Sequence, residues 1–176
     1  MAYGIALILD SDLAAQVTDI WRQFEAAGVG TTPDEFEEPP HVTLAIFPSG
    51  DPTRLARLLD ATPFADTSVT LVPFGAFLGE RHVLYYTAVL CPALLEAHAA
   101  LHARIRAEHL ACDPLYAPGS AVPHCSLAVD IEPRAFPGGV EICLRNASTL
   151  SGRADAVELF EYFPVRSLHS RVLSSV

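Results

Sequence analysis

The segment Pro40-His41-Val42-Thr43-Leu44-Ala45 returns later in the chain as Pro123-His124-Cys125-Ser126-Leu127-Ala128. No other feature constrains the fold as much. Along a β-strand, residues i and i+2 point to one face. Each His-x-Thr/Ser unit therefore projects an imidazole and a hydroxyl together, while Val42 or Cys125 turns the other way. Two such strands brought side by side gather two histidines and two hydroxyls around one pocket.

The 176 residues suit one domain or two small lobes sharing a core, and 51% hydrophobic content is ample to bury. No run approaches the roughly 20 apolar residues of a membrane helix: the stretch 83–95 is short and broken by Pro92. The first basic residue is Arg22, and the N-terminal apolar run reads as a strand, so no secretory leader is expected. Cys91, Cys112, Cys125 and Cys143 show no CxxC or zinc-type spacing. Free thiols in a reducing cytoplasm are the expectation, acting as small buried hydrophobes. The net charge of −10 argues against a groove for duplex nucleic acid, which needs clustered cations. All 11 basic residues are arginine, which removes lysine-based covalent chemistry such as adenylation or a Schiff base.

Periodicity predicts a strand over 3–9, then a helix capped by Asp10 or Ser11, with apolar residues at Leu13, Val17, Ile20, Trp21 and Phe24 and a stop at Gly28. A Gly/Pro/acidic loop, 28–40, delivers the chain to a strand over 41–47. A short helix starts near Asp51-Pro52. Strands over 68–77 and 82–90 are joined by the turn Leu78-Gly79-Glu80-Arg81. A helix over 92–110 leads into a second Pro/Gly loop, 111–123, and a strand over 124–130. A weakly signalled helix around 140–147 precedes strands over 156–163 and 165–173. In each half the histidine strand is followed by a helix and then a strand, Val69-Thr70-Leu71-Val72-Pro73-Phe74 or Val157-Glu158-Leu159-Phe160-Glu161-Tyr162. The halves read as duplicated lobes.

A lone strand histidine is more often structural than catalytic, but two with the same neighbours and the same preceding loop are hard to ascribe to packing. A metal pair is poorly served, because no third ligand accompanies the histidines and hydroxyls are weak zinc ligands. His98 and His102 have i, i+4 spacing but lack the glutamate of HExxH; they read as one polar or interfacial helix face. A Ser-His-Asp relay leaves the second histidine without a role. Paired histidines suit phosphodiester cleavage or transfer: one neutral imidazole accepts a proton while the other, protonated, donates one. Thr43 and Ser126 can donate hydrogen bonds to non-bridging phosphate oxygens. The scheme needs no metal and no cofactor.

His41-Val42-Thr43-Leu44 and His124-Cys125-Ser126-Leu127 resemble the paired His-x-Thr/Ser motifs of the 2H phosphoesterase superfamily, which includes 2′-5′ RNA ligase-like proteins and cyclic phosphodiesterases. The resemblance spans essentially the whole chain. It implies an α+β, bilobal fold with two antiparallel sheets around a central cleft and flanking helices. It also implies hydrolysis or formation of 2′,3′-cyclic or 2′-5′ phosphodiesters, with His124 as base and His41 as acid.

The acidic balance favours a small nucleotide-like phosphodiester or an RNA end over long RNA. Tyr116 is a candidate to stack on a base, against the plainer role of a packing anchor. Arg81, in the hairpin turn, is a candidate phosphate support, against a solvated surface role. RNA ligation and a non-catalytic nucleotide-binding or sensor module stay open as alternatives. Nothing in the sequence sets an oligomeric state.

Overall fold

The computed structural model describes residues 1–65, 67–162 and 165–173. Strand β1 (Ala2–Leu9) leads into helix α1 (Ser11–Ala27). Asp10 caps the helix: Oδ1 accepts from the backbone N–H groups of Asp12 and Leu13 at 3.0 and 2.8 Å. Such a cap satisfies donors that a helix start leaves open and contributes about 1 kcal/mol. Its Oδ2 accepts from the N–H of Arg153 at 2.6 Å, so one carboxylate starts the helix and holds a distant strand. The predicted stripe of Leu13, Val17, Ile20, Trp21 and Phe24 is buried, and Gly28 ends the helix at φ 62°, a left-handed conformation that favours glycine.

The chain continues through β2 (His41–Phe47), α2 (Pro52–Asp60), β3 (Ser68–Phe77), β4 (His82–Leu90), α3 (Pro92–Ala107), β5 (His124–Ile131), α4 (Phe136–Arg145), β6 (Leu150–Tyr162) and β7 (Arg166–Val172). The fold is α+β. Among the described residues the strands run in the order β2-β1-β6-β3-β4-β5, with β7 on β6, and every pairing is antiparallel. Two groups, β2-β1-β6-β7 and β3-β4-β5, are joined where residues 150–153 of β6 pair with β3. Chain order is β-α-β-α-β twice over, and the third strand of each unit lies in the other's group. Exchanging β1, β2 and β3 for β4, β5 and β6 turns the strand order into its own reverse. A repeated lobe would produce this topology, and duplication stays our proposal for its origin.

β2 and β5 are the two ends of this path, and the histidines are their first residues. The sheet curls until these strands pack against each other. The loops before the histidines stitch the seam crosswise. Thr31, from the first loop, exchanges two backbone hydrogen bonds of 2.9 and 2.8 Å with Val129 of β5. Asp113, from the second, donates its N–H to Ile46 O of β2 at 2.8 Å.

Several boundaries differ from those expected. α3 ends at Ala107, three residues before the predicted 110, and His109 turns the chain at φ 53°. α4 begins at Phe136, not near 140; its Gly138-Gly139 pair masks the helix from propensity. Gly139 is needed there, since a Cβ would lie 2.7 Å from Leu84 Cδ1. β6 begins at Leu150, six residues before the predicted 156, because residues 150–155 lack strand alternation, although 150–153 find partners in β3. Gly152 lets β6 pass beneath α1, where a Cβ would sit 2.5 Å from Asp10 Oδ2. Phe163, at the end of the predicted strand 156–163, lies outside the described residues. None of the four cysteines is in a disulfide, and Cys125 and Cys143 are buried; burial pushes both of those thiols up to about 12. Among the described residues, no helix is long and apolar enough to cross a membrane.

His98 and His102 correct the reading of a polar or interfacial helix face: both are buried in α3. Their ring centroids are 4.6 Å apart. Nε2 of His98 donates to Tyr116 O at 2.9 Å, and Nε2 of His102 to Leu44 O at 3.0 Å; a carbonyl only accepts, so those nitrogens carry the hydrogen. The helix thereby holds β2 beside Thr43 and the turn that carries Tyr116. Burial lowers the pKa of both imidazoles, and for His102 the charges of His98 and Arg106 act the same way.

A histidine whose folded pKa lies below its unfolded value of about 6.5 gives the unfolded chain the greater proton uptake in acid. Its contribution is complete above about pH 6.5 and is lost as pH falls through the folded value. The melting temperature should therefore drop between about pH 7 and pH 5. The double variant His98→Gln/His102→Gln, which keeps amide donors, should flatten that drop. Equal slopes for the two proteins would assign the acid loss to other groups.

Candidate active site

The strand alternation expected of the repeat is present in both copies. His41 and Thr43 are half-buried on one face of β2, and Val42 and Leu44 are buried behind them. His124 and Ser126 stand likewise on β5, with Cys125 and Leu127 behind. A cavity of about 470 Å³ is lined by Thr43, His124 and Ser126 together with Phe77, Tyr116 and Val122. A second, of about 270 Å³, is lined by His41, Ser126, Glu38 and Tyr162. Ser126 and Val129 belong to both, so the seam between β2 and β5 gathers all four repeat residues at one cleft. The histidines interact: burial, and then the charge of His41, pushes the His124 pKa down against a backbone hydrogen bond that raises it. Behind them, burial raises the pKa of the Cys125 thiol, and the main chain of His41 opposes that rise.

The two imidazoles are oriented in the same way. Nδ1 of His41 donates to Pro39 O at 2.8 Å, and Nδ1 of His124 to Val122 O at 2.7 Å. A carbonyl has no hydrogen to give, so Nδ1 carries the proton in the neutral ring and Nε2 is the nitrogen left to exchange one. Pro40 and Pro123 contribute directly. A proline holds the preceding residue extended, which aims the carbonyl of residue 39 or 122 back at the ring. The prolines' own carbonyls accept from the N–H groups of Leu9 at 3.1 Å and Ala88 at 2.9 Å.

Helix and strand side chains steady this frame. Trp21 Nε1 of α1 donates to Ser126 O at 2.9 Å, the counterpart of His102 on Leu44 O. The His124 ring lies 5.1 Å from both Phe77, edge-on at 83°, and Tyr85, tilted at 54°. His41 has a looser neighbour in Phe160, at 6.4 Å.

Sequence reasoning missed two residues of the cleft, Tyr162 and Glu38. The Tyr162 hydroxyl hydrogen-bonds to the Thr43 side chain; burial, then Glu38 and Tyr116, raise its pKa and keep it a donor. Glycines within strands were the available signal for tyrosines, since such a glycine often marks a close approach. A Cβ on Gly4 of β1 would stand 2.7 Å from the Tyr162 ring, and one on Gly75 of β3 would stand 2.6 Å from the Tyr85 ring. Glu38 was hidden among the acids of its loop. Burial raises its pKa, and the neighbouring His41 opposes that rise.

Tyr116 lines the larger cavity, from a 3-10 turn, Pro114–Tyr116. Arg81 is a correction. It lies away from the histidine cleft in a separate depression with Asp130, Glu132 and Arg134. Its Nε is 3.5 Å from Asp130 and its Nη1 3.4 Å from Glu132, so two carboxylates hold it in an exposed ion-pair cluster. Among the described residues, no group of three or more His, Cys, Asp or Glu side chains is arranged to hold a metal ion.

Solved structures of similar fold include TT0787 of Thermus thermophilus, with a TM-score of 0.67, 17% identity and 99% of each chain covered. Another is a phosphoesterase, with a TM-score of 0.60, 17% identity and 99% of each chain covered. A third is E. coli LigT complexed with 3′-AMP, with a TM-score of 0.56, 15% identity and 98% of each chain covered. At these identities the likeness is one of fold. No curated protein matches the sequence. The family model of the 2′-5′ RNA ligase superfamily matches residues 9–163, most of the chain and both histidine strands, and the chain belongs to that superfamily.

Proposed function

We propose that this protein is a phosphodiesterase that hydrolyses a cyclic or 2′-5′ phosphodiester in a small nucleotide-like substrate, without a metal. Members of its superfamily are phosphoesterases and ligases. One observation carries the reading: two imidazoles with the same Nδ1-to-carbonyl anchor at a cleft that also holds Thr43 and Ser126.

In this scheme His124 is the base. Its lowered pKa keeps it neutral, and Nε2 takes a proton from water as the water oxygen bonds to phosphorus. The bond from phosphorus to the leaving oxygen breaks, and His41 gives that oxygen its Nε2 proton. Thr43 and Ser126 donate to the non-bridging oxygens as charge builds on them. Proton exchange with solvent then restores both rings. The larger, mainly apolar cavity and the ring of Tyr116 suit a nucleobase. The complex of E. coli LigT with 3′-AMP is in keeping with a nucleotide ligand here. Four cysteines outside any disulfide agree with a cytoplasmic location, which belongs to the same proposal.

Turnover of 2′,3′-cyclic nucleotides and 2′-5′-linked dinucleotides tests the reading. Activity should survive exhaustive chelation. Rescue of a chelated enzyme by a divalent ion would move the case to metal-dependent hydrolysis. His41→Ala and His124→Ala should each lower kcat by about 10²–10⁴-fold, the usual scale for losing a general acid or base. Unchanged turnover in both variants would take the chemistry away from the histidine pair, and binding without turnover in the wild type leaves only a binding module. The pH profile of kcat/KM should be bell-shaped, reporting macroscopic values of a coupled pair. Its acid limb should lie below the ordinary histidine value of about 6.5, because His124 must be neutral and its pKa is depressed, and His124→Ala should abolish that limb. A profile that only declines with rising pH would indicate electrostatic binding by protonated imidazoles.

A further inference from the structure

The charged groups of the cleft differ from those expected of a site built for polyanions. Neither cavity at the histidines is lined by an arginine among the described residues, and the sequence contains no lysine. Arg81 and Arg134 are engaged with Asp130 and Glu132, and Arg166 with Glu161. The protonated imidazole of His41 is then the cation at the phosphate position, and Glu38 is the ionisable carboxyl beside it.

Glu38 is held in place by its own loop. Glu37 takes a left-handed φ of 58°, and the Glu38 N–H donates to Pro33 O at 3.1 Å. Buried Thr32 fixes the start of that turn, with its N–H on Glu35 Oε1 at 3.0 Å and its hydroxyl on Glu25 Oε1 at 2.7 Å. Of the loop acids, Asp34 and Glu37 are exposed and Glu35 is used in this cap, while Glu38 is half-buried and lines the His41 cavity. The other cavity offers Phe77, Val83, Leu115 and Val122, surfaces for an uncharged group.

Resting on the phosphodiesterase reading, we infer that the cleft selects a substrate whose only charge is that of the phosphodiester itself, and that Glu38 rejects substrates carrying a further phosphate. A second phosphate adds roughly −1.5 to −2 charge. In a partly desolvated cleft with no arginine to balance it, that charge meets the Glu38 carboxylate.

The test compares 2′,3′-cyclic AMP with its 5′-phosphorylated form, using wild type and Glu38→Gln. Wild type should prefer the singly charged substrate by roughly tenfold or more in kcat/KM. Glu38→Gln should narrow that preference severalfold, mainly by lowering KM for the 5′-phosphorylated compound. No preference in wild type, or the same ratio in both proteins, overturns the inference. If wild type turns over neither compound, the cyclic-phosphate form of the phosphodiesterase reading has failed and charge selection is decided by calorimetry. Tighter binding of 3′-AMP than of adenosine 3′,5′-bisphosphate, with the gap narrowed by Glu38→Gln, supports it. Equal binding, an unchanged gap or no binding overturns it.

Discussion

The meeting of the two edge strands, β2 and β5, is the constraint on which the site depends. An edge strand exposes unpaired backbone groups, which proteins must cover or satisfy. Here the edges are turned towards each other, and their spare groups go to partners from elsewhere in the fold. Thr31 takes both polar groups of Val129, and Asp113 takes Ile46 O. Trp21 takes Ser126 O and His102 takes Leu44 O. The hydrogen bonds that satisfy the edges also set the spacing of the histidine strands, so backbone satisfaction and site geometry have a common cause.

The crosswise pattern accounts for rigidity at a place where loops converge. Each pre-histidine loop is bonded to the opposite strand, so neither loop can move without disturbing the other histidine. Proline before each histidine restricts the carbonyl that orients the ring. Preorganised donors and acceptors need little rearrangement when charge develops on a bound group. The cost appears as buried imidazoles, His98 and His102, whose charged form burial disfavours.

The electrostatic character of the cleft follows from its composition. With cations confined to the imidazoles, the site depends on protonation state and hydrogen bonding in place of permanent positive charge. Burial acts on the same groups: it depresses His124 and raises Glu38 and Tyr162. A neutral imidazole, a protonated phenol and hydroxyl donors are the natural products of such an environment.

Much of this was legible in the sequence because it rests on local periodicity. The i, i+2 spacing of His41 with Thr43 and of His124 with Ser126 dictated which side chains share a face. Asp10, Gly28 and Asp51-Pro52 marked helix ends through capping chemistry that acts within one turn. Other features had no local signature. Gly139 and Gly152 look like helix and strand breakers until the neighbours pressing on them are known. Arg81 could be assigned a partner only once Asp130 and Glu132 were in place. Glu38 and Tyr162 entered the cleft through a loop turn and a strand far apart in sequence. By itself, the sequence determined the reactive groups and the face each would present, since strand geometry is a nearest-neighbour property. Tertiary structure alone decided which faces meet and which charges stand within reach, because those depend on how the curled sheet closes residues far apart in the chain.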